Sequence, residues 1–81
     1  MNTDQARAHV AAILGRIAPE ADLEEVPGDV DLRDELDLDS MDFLSLVEGL
    51  KEATGVDVPE GDYEKIETLD GLLGYVADRA A

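Results

Sequence analysis

The chain has 81 residues with 21 Asp and Glu against 6 Lys and Arg, which gives a formal net charge of −15. A chain this short is expected to form a single domain over residues 1–81, and 44% apolar residues suffice for one small core rather than a disordered chain. The charge would repel phosphate backbones and anionic lipid, which argues against nucleic acid and membrane insertion and favours a protein partner with a basic patch.

The first segment, "MNTDQARAHVAAILGR", lacks the charged-then-apolar pattern of a signal peptide, and no run approaches the roughly 20 apolar residues of a membrane-spanning helix. We therefore expect a cytoplasmic protein. An amphipathic helix is predicted from about Thr3 to Ile17, with Thr3 as its N-cap. Its apolar residues recur at i, i+3, i+4 and i+7, namely Val10, Ile13, Leu14 and Ile17.

A long loop is predicted after Pro19, where "PEADLEEVPGDVDLRDELDLD" has irregularly spaced apolar residues and a turn signal at Pro27-Gly28. A structureless loop of about 20 residues is unusual in a compact domain, so its apolar side chains are expected to dock on the core. These side chains are Leu23, Val26, Val30, Leu32, Leu36 and Leu38.

Three further helices are predicted in the second half of the chain. One extends from about Ser40 to Ala53 with Gly55 just past its end, and a short one spans about Asp62 to Ile66. The last begins after Thr68 and has a stripe of Leu69, Leu72, Leu73, Val76 and Ala80. The predicted fold is all-α, a small four-helix bundle with a long loop between helices 1 and 2 and a short third helix.

The predicted second helix has two contrasting faces when each residue is turned by 100°. One face is an expected buried stripe of Phe43, Leu46, Val47 and Leu50. The opposite face combines Met41 and Leu44 with Ser45, Glu48 and Glu52. Two interpretations of this face stay open. Single exposed apolar side chains are common on protein surfaces and need no function, but apolar anchors ringed by acidic residues also suit a docking surface.

Ser40 lies at the start of this helix, where free backbone N–H groups and the helix dipole would stabilise a phosphate ester. The alternative is helix capping by Asp39 or Ser40. Nucleophilic catalysis is disfavoured, because the chain has no G-x-S-x-G motif, no cysteine and a single histidine, His9, with nothing to place it near Ser40.

The segment "DLDSMDFLSLVE" partly matches a calcium-binding loop through Asp37, Asp39 and Glu48. It departs from that pattern at Met41 and Asp42, which stand where an oxygen ligand and a glycine are needed. We expect no dedicated metal site.

The triplet "DSM", Asp39-Ser40-Met41, together with the downstream stretch "GVDVPEGDYEKIETLDGLLGYV", resembles the acyl carrier proteins over nearly the whole chain. The resemblance implies that Ser40 carries 4′-phosphopantetheine through a phosphodiester and that the thiol of this arm holds acyl groups as thioesters. It also implies a non-catalytic, monomeric carrier for fatty acid, polyketide or related biosynthesis. The implied partners are a phosphopantetheinyl transferase and acyl-transferring, condensing or modifying enzymes with basic docking patches.

The candidate partner contacts are Asp39, Met41, Leu44, Ser45, Glu48, Lys51 and Glu52. Ser45 and Lys51 interrupt the acidic strip that is common in the family, which favours a specialised pathway. Three alternatives stay open: a small acidic adaptor that binds a basic partner through the second helix, a peptidyl carrier, and a cation-binding protein. The peptidyl carrier is disfavoured because "LDLDS" lacks the Gly-Gly-His-Ser-like approach to the serine.

Overall fold

The computed structural model describes residues 1–80. Its α-helices are α1 (Thr3–Ile17), α2 (Leu32–Glu35), α3 (Ser40–Thr54) and α4 (Leu69–Arg79). A first 3-10 helix spans Leu23–Glu25, and a second 3-10 helix spans Glu60–Ile66. The predicted second and third helices correspond to α3 and the second 3-10 helix, so the all-α four-helix prediction is confirmed. Among the helices of residues 1–80, none combines the length and the hydrophobicity that a membrane-spanning segment requires.

The predicted bounds of α1 are confirmed, but its predicted cap is wrong. Asn2, not Thr3, is the N-cap, because Asn2 keeps an extended backbone while Thr3 is already helical. Asn2 Oδ1 accepts a hydrogen bond from the Gln5 backbone N–H at 2.8 Å, and Gln5 Oε1 accepts one from the Asn2 N–H at 3.0 Å. This reciprocal capping box satisfies two backbone donors that a lone Thr3 hydroxyl would leave partly unpaired.

The long loop contains two short helical turns that the sequence pattern did not predict. Asp22 caps the first 3-10 helix and Asp31 caps α2, each by accepting a backbone N–H two residues further along. Segments of three and four residues are too short to show a helical period. The expected docking is confirmed: Leu23, Val26, Leu32 and Leu38 are buried, and Val30 and Leu36 are partly buried against the core.

The loop is also fastened to the start of α4 by backbone hydrogen bonds. The Leu32 N–H donates to the Glu67 carbonyl at 2.7 Å, and the Asp70 N–H donates to the Gly28 carbonyl at 3.0 Å. These bonds hold the segment that leads into α3 against the bundle. The position of Ser40 is therefore tied to α4, although about 30 residues separate them in sequence.

The ends of α3 and of the second 3-10 helix differ slightly from prediction. α3 begins at Ser40 as predicted and ends at Thr54, one residue later than expected. Gly55 follows with φ 77°, the left-handed conformation predicted for it, and its N–H donates to the Lys51 carbonyl at 2.9 Å. The predicted helix over Asp62 to Ile66 starts earlier, at Glu60, and its first turn closes with an Asp62 N–H bond to the Pro59 carbonyl.

The core lies where α1 contacts both α3 and α4. The predicted buried stripes of α1, α3 and α4 all contribute to it, with Ile17 only partly buried. Tyr75 is also buried, although it lies outside the predicted stripe of α4. The nine large side chains with almost no exposure are Val10, Leu14, Leu32, Leu46, Leu50, Ile66, Leu69, Leu72 and Val76.

Candidate functional site

Ser40 is the first residue of α3 and is exposed. The helix is capped by Asp39, whose Oδ1 accepts a hydrogen bond from the Asp42 N–H at 2.8 Å. The Asp42 carboxylate accepts a longer bond, 3.4 Å, from the Asp39 N–H and completes a capping box. Within residues 1–80 the Ser40 hydroxyl has no intramolecular hydrogen-bond partner. The sequence left open whether Asp39 or Ser40 caps the helix, and the structure shows that Asp39 is the cap.

The chain reaches Ser40 through a tight reversal after α2. Asp37 has φ 54°, a left-handed conformation that aspartate tolerates better than most residues. The Leu38 N–H then donates to the Arg33 carbonyl at 2.9 Å, and the Leu38 side chain is buried. Because Leu38 is anchored in the core, Asp39 and Ser40 are held at the surface.

The predicted phase of the helix that contains Ser40 is confirmed. Phe43, Leu46, Val47 and Leu50 are buried. Met41 and Leu44 are 76% and 47% exposed, and within residues 1–80 they are the large apolar residues with exposed side chains. We use the term outer face for the exposed side chains Met41, Leu44, Ser45, Glu48, Lys51 and Glu52. Lys51 Nζ lies 4.0 Å from Asp57 Oδ2, so its charge is partly balanced inside the protein.

The outer face borders a groove of about 240 Å³ between α1 and α3. Ser45, Glu48 and Glu52 line it from α3, while Arg16 lines it from α1. Arg16 therefore adds a positive charge beside three of the predicted partner contacts. The helical pattern of α3 alone could not reveal Arg16, because its proximity depends on how α1 packs.

Three side chains form a stacked cluster at the amino-terminal end of α3. The rings of Phe43 and Tyr63 meet edge to face, with centroids 5.2 Å apart and an interplanar angle of 72°. The guanidinium carbon of Arg33 lies 5.4 Å from the Phe43 ring centroid. Sequence reasoning missed Arg33, because the contact joins the loop to a helix residue that periodicity marks only as core.

The calcium-loop interpretation does not fit this geometry. From Ser40 onward the segment is helical, so Glu48 cannot close a loop around Asp37 and Asp39. In the part of the chain from Met1 to Ala80, no group of three or more His, Cys, Asp or Glu side chains is arranged to hold a metal ion. His9 is half-buried on α1.

The chemistry of Ser40 fits a covalent phosphodiester cofactor. An exposed aliphatic hydroxyl without an internal partner is accessible to a transferase, and the first turn of a helix favours a negatively charged substituent. The Asp39 capping bond does not involve the Ser40 hydroxyl. Modification of that hydroxyl therefore removes none of the hydrogen bonds that cap α3.

Comparison with known proteins gives a consistent result. The sequence profile of the family described as "Phosphopantetheine attachment site" matches residues 4–76. The acyl carrier protein of Rubrobacter xylanophilus is 35% identical over 57 residues, which cover 70% of this chain and 70% of the relative. That of Syntrophobacter fumaroxidans is 35% identical over 60 residues, 74% of each chain. That of Lactobacillus johnsonii is 33% identical over 55 residues, 68% of this chain and 69% of the relative.

The profile match extends from the first turn of α1 into α4, so it includes every helix described above. These three relatives are all acyl carrier proteins, and each is aligned over at least two thirds of this chain. The chain therefore belongs to the acyl carrier protein family, a family of non-catalytic carriers whose covalent cofactor is 4′-phosphopantetheine.

Proposed function

We propose that Ser40 carries the phosphopantetheine arm and that the protein presents thioester-bound acyl intermediates to enzymes of fatty acid, polyketide or related biosynthesis. The observation that carries this proposal is the division of roles at the start of α3. Asp39 supplies the helix cap, which leaves the exposed Ser40 hydroxyl free for modification. The family match supports the class of cofactor.

In the loading reaction, the Ser40 oxygen attacks the phosphorus of coenzyme A that is bonded to the pantetheine portion. A new phosphorus–oxygen bond forms to Ser40, and the pyrophosphate bond breaks. Adenosine 3′,5′-bisphosphate leaves with the bridging oxygen, and the hydroxyl proton passes to a base on the transferase. The chain has no cysteine, so the acyl-bearing thiol comes entirely from the arm.

We assign partner recognition to Asp39 and the outer face. Its two exposed apolar side chains provide anchors, and Glu48 and Glu52 provide charges that attract a basic patch on an enzyme. Ser45 and Lys51 break the acidic strip, which favours partners of a specialised pathway over those of general fatty acid synthesis. A single carrier domain that acts as a monomer in the cytoplasm is part of this proposal.

The direct test is the intact mass of the protein after incubation with a phosphopantetheinyl transferase and coenzyme A. Wild type should gain one arm, and Ser40→Ala should gain none while keeping its helical circular dichroism. Ser45→Ala is the matched control: it removes the hydroxyl of the other serine of α3, and the variant should still gain one arm, because attachment requires only the Ser40 hydroxyl. Loading of Ser40→Ala at Ser45 would refute the assignment.

The same experiment separates the alternative functions. An adaptor that binds a basic partner without modification would gain no mass, and this result would overturn the proposal. Endogenous cargo recovered from the producing cell then distinguishes an acyl carrier from a peptidyl carrier. Acyl thioesters are expected, whereas aminoacyl thioesters would favour the peptidyl class.

A further inference from the structure

Arg33 is surrounded by acidic residues in sequence. It is the single basic residue between Arg16 and Lys51. The fourteen positions from 29 to 42 contain seven carboxylates, namely Asp29, Asp31, Asp34, Glu35, Asp37, Asp39 and Asp42. In such surroundings a guanidinium is expected to pair with a carboxylate.

The side chain of Arg33 makes a different contact. Ion pairs of 4.0 Å or less in the described chain involve Lys51, Lys65 and Arg79, and none involves Arg33. Across residues 1–80 its guanidinium also donates no hydrogen bond, and it lies over the Phe43 ring instead. Tyr63 contacts the same ring edge on, and Phe43 is buried, so the surface on which the guanidinium rests is fixed. Arg33 is exposed, and its guanidinium N–H donors have no protein partner within residues 1–80.

The Phe43 ring links Arg33 to the first turn of α3, which begins at Ser40. Ser40 and Phe43 are three residues apart on the helix and are therefore neighbours on its surface. A helical side chain leans toward the amino terminus, so the Phe43 side chain is expected to point back toward the turn that begins at Ser40. The backbone agrees with this placement, because the Arg33 carbonyl accepts a hydrogen bond from Leu38, two residues before Ser40.

We infer that Arg33 is a binding residue for the phosphodiester that links the arm to Ser40; this inference rests on the function proposed above. A guanidinium presents several donors in a plane that suits phosphate oxygens. Its stacking on Phe43 reduces the side-chain freedom lost on binding. The positive charge also offsets repulsion between the phosphodiester and the neighbouring carboxylates of Asp37, Asp39 and Asp42.

The first test compares loaded and unloaded forms of two charge-matched variants. Arg33→Met keeps an apolar cover over Phe43 and removes the charge. Arg7→Met removes one positive charge from an exposed position on α1 that does not line the groove beside the outer face, and it serves as control. Loading should raise the melting temperature of wild type and Arg7→Met by roughly 1 to 5 °C more than that of Arg33→Met, the range for an exposed ion pair in a small domain. An equal effect of loading in all three proteins would overturn the inference.

The second test needs no variant and so does not depend on how a mutant folds. In protein labelled with ¹⁵N, the Nε–H resonance of Arg33 should shift when Ser40 is loaded, while those of Arg7 and Arg16 stay in place. The ³¹P resonance of the loaded protein should likewise differ between wild type and Arg33→Met, but not between wild type and Arg7→Met. A Nε–H resonance of Arg33 that is unmoved by loading would overturn the inference.

These tests separate the two proposals. If no arm is attached to Ser40, the proposed function fails before Arg33 is examined. If the arm is attached but either the melting temperatures or the resonances give the overturning result, only the inference about Arg33 fails.

Discussion

Tyr75 donates a hydrogen bond from its hydroxyl to Asp62 Oδ2 at 2.7 Å and thereby joins α4 to the second 3-10 helix. Lys65 Nζ lies 3.3 Å from the other carboxylate oxygen of Asp62, and the Arg79 guanidinium carbon lies 3.7 Å from the Tyr75 ring centroid. The hydrogen bond from Tyr75 is the main cause that lowers the pKa of Asp62, and Lys65 lowers it further. The same bond is the main cause that raises the pKa of Tyr75.

We predict that Tyr75→Phe weakens the pH dependence of stability at both extremes. The lowered pKa of Asp62 contributes stability above its ordinary value of 3.8, and this contribution disappears as pH falls through the folded-state pKa. The raised pKa of Tyr75 contributes stability below its ordinary value of 10.0, and this disappears as pH rises through the folded-state pKa. Urea midpoints measured from acid to alkaline pH should therefore be lower for the variant at neutral pH and approach wild type at the extremes.

The matched control for Tyr75 is Tyr63→Phe, because the Tyr63 hydroxyl has no hydrogen-bond partner in the described chain and its ring contact survives the change. This variant should follow the wild-type pH profile. Equal profiles for the two phenylalanine variants would contradict the role of the Tyr75–Asp62 bond.

A second prediction concerns the close contact between α1 and α3. A Cβ added at Gly49 would lie 2.9 Å from Ile13 Cγ2, whereas a Cβ at Gly15 meets nothing within 4 Å. Gly15→Ala should raise the free energy of unfolding by about 0.5 to 1 kcal/mol through helix propensity. Gly49→Ala should instead lower it, because overpacking of about 1 to 3 kcal/mol outweighs the same gain. Chemical denaturation measures the free energy of unfolding of both variants. A Gly49→Ala protein more stable than wild type would contradict the prediction and show that α1 shifts readily to make room for the added methyl group.

A third prediction separates the core face of α3 from its outer face. Phe43→Ala should cost about 3 to 5 kcal/mol of folding stability, because it empties a buried site between Tyr63 and the bundle. Leu44→Ala should change stability little, because Leu44 is nearly half exposed. Leu44→Ala should instead speed dissociation from a cognate enzyme or the transferase, measured by surface-immobilised binding kinetics. If folded Leu44→Ala protein dissociates at the wild-type rate, Leu44 is not part of the docking surface.

A fourth prediction concerns electrostatic steering by the outer face. Glu48→Lys should slow association with a basic enzyme and reduce the dependence of the association rate on salt. Glu20→Lys makes the same charge change at an exposed loop position outside α3 and is the control. If both variants slow association equally, the effect reflects net charge alone and Glu48 has no special role in recognition.

A fifth prediction follows from the number of unpaired acids. The chain has 21 Asp and Glu, and the ion pairs found in residues 1–80 involve three of them, Asp57, Asp62 and Asp78. Self-repulsion should therefore lower the melting temperature at low ionic strength, and millimolar magnesium should raise it through screening and diffuse binding. A melting temperature that is unaffected by salt and magnesium would contradict this account.

The parts of the fold that depend on local pattern were predictable. The apolar period of α3 correctly separated buried Phe43 from exposed Leu44, and Gly55 correctly marked the end of the helix. The caps were less predictable, because Asn2 and Thr3 are both good capping residues and the choice depends on which one keeps an extended backbone. The short helical turns at Leu23–Glu25 and Leu32–Glu35 were missed, since their stability comes from docking rather than from a repeating pattern.

The sequence by itself determined the class of fold, the two faces of α3 and the serine triplet that resembles acyl carrier proteins, because each of these depends on residues close together in the chain. The choice of Asp39 over Ser40 as the cap of α3 became visible in the local backbone of the structure. Only the tertiary structure decided that Arg33 stacks on Phe43 and that Arg16 borders the outer face. The two arginine placements depend on contacts between segments ten or more residues apart. Such contacts are set by how the loop and α1 pack on the core, and no local pattern encodes that packing.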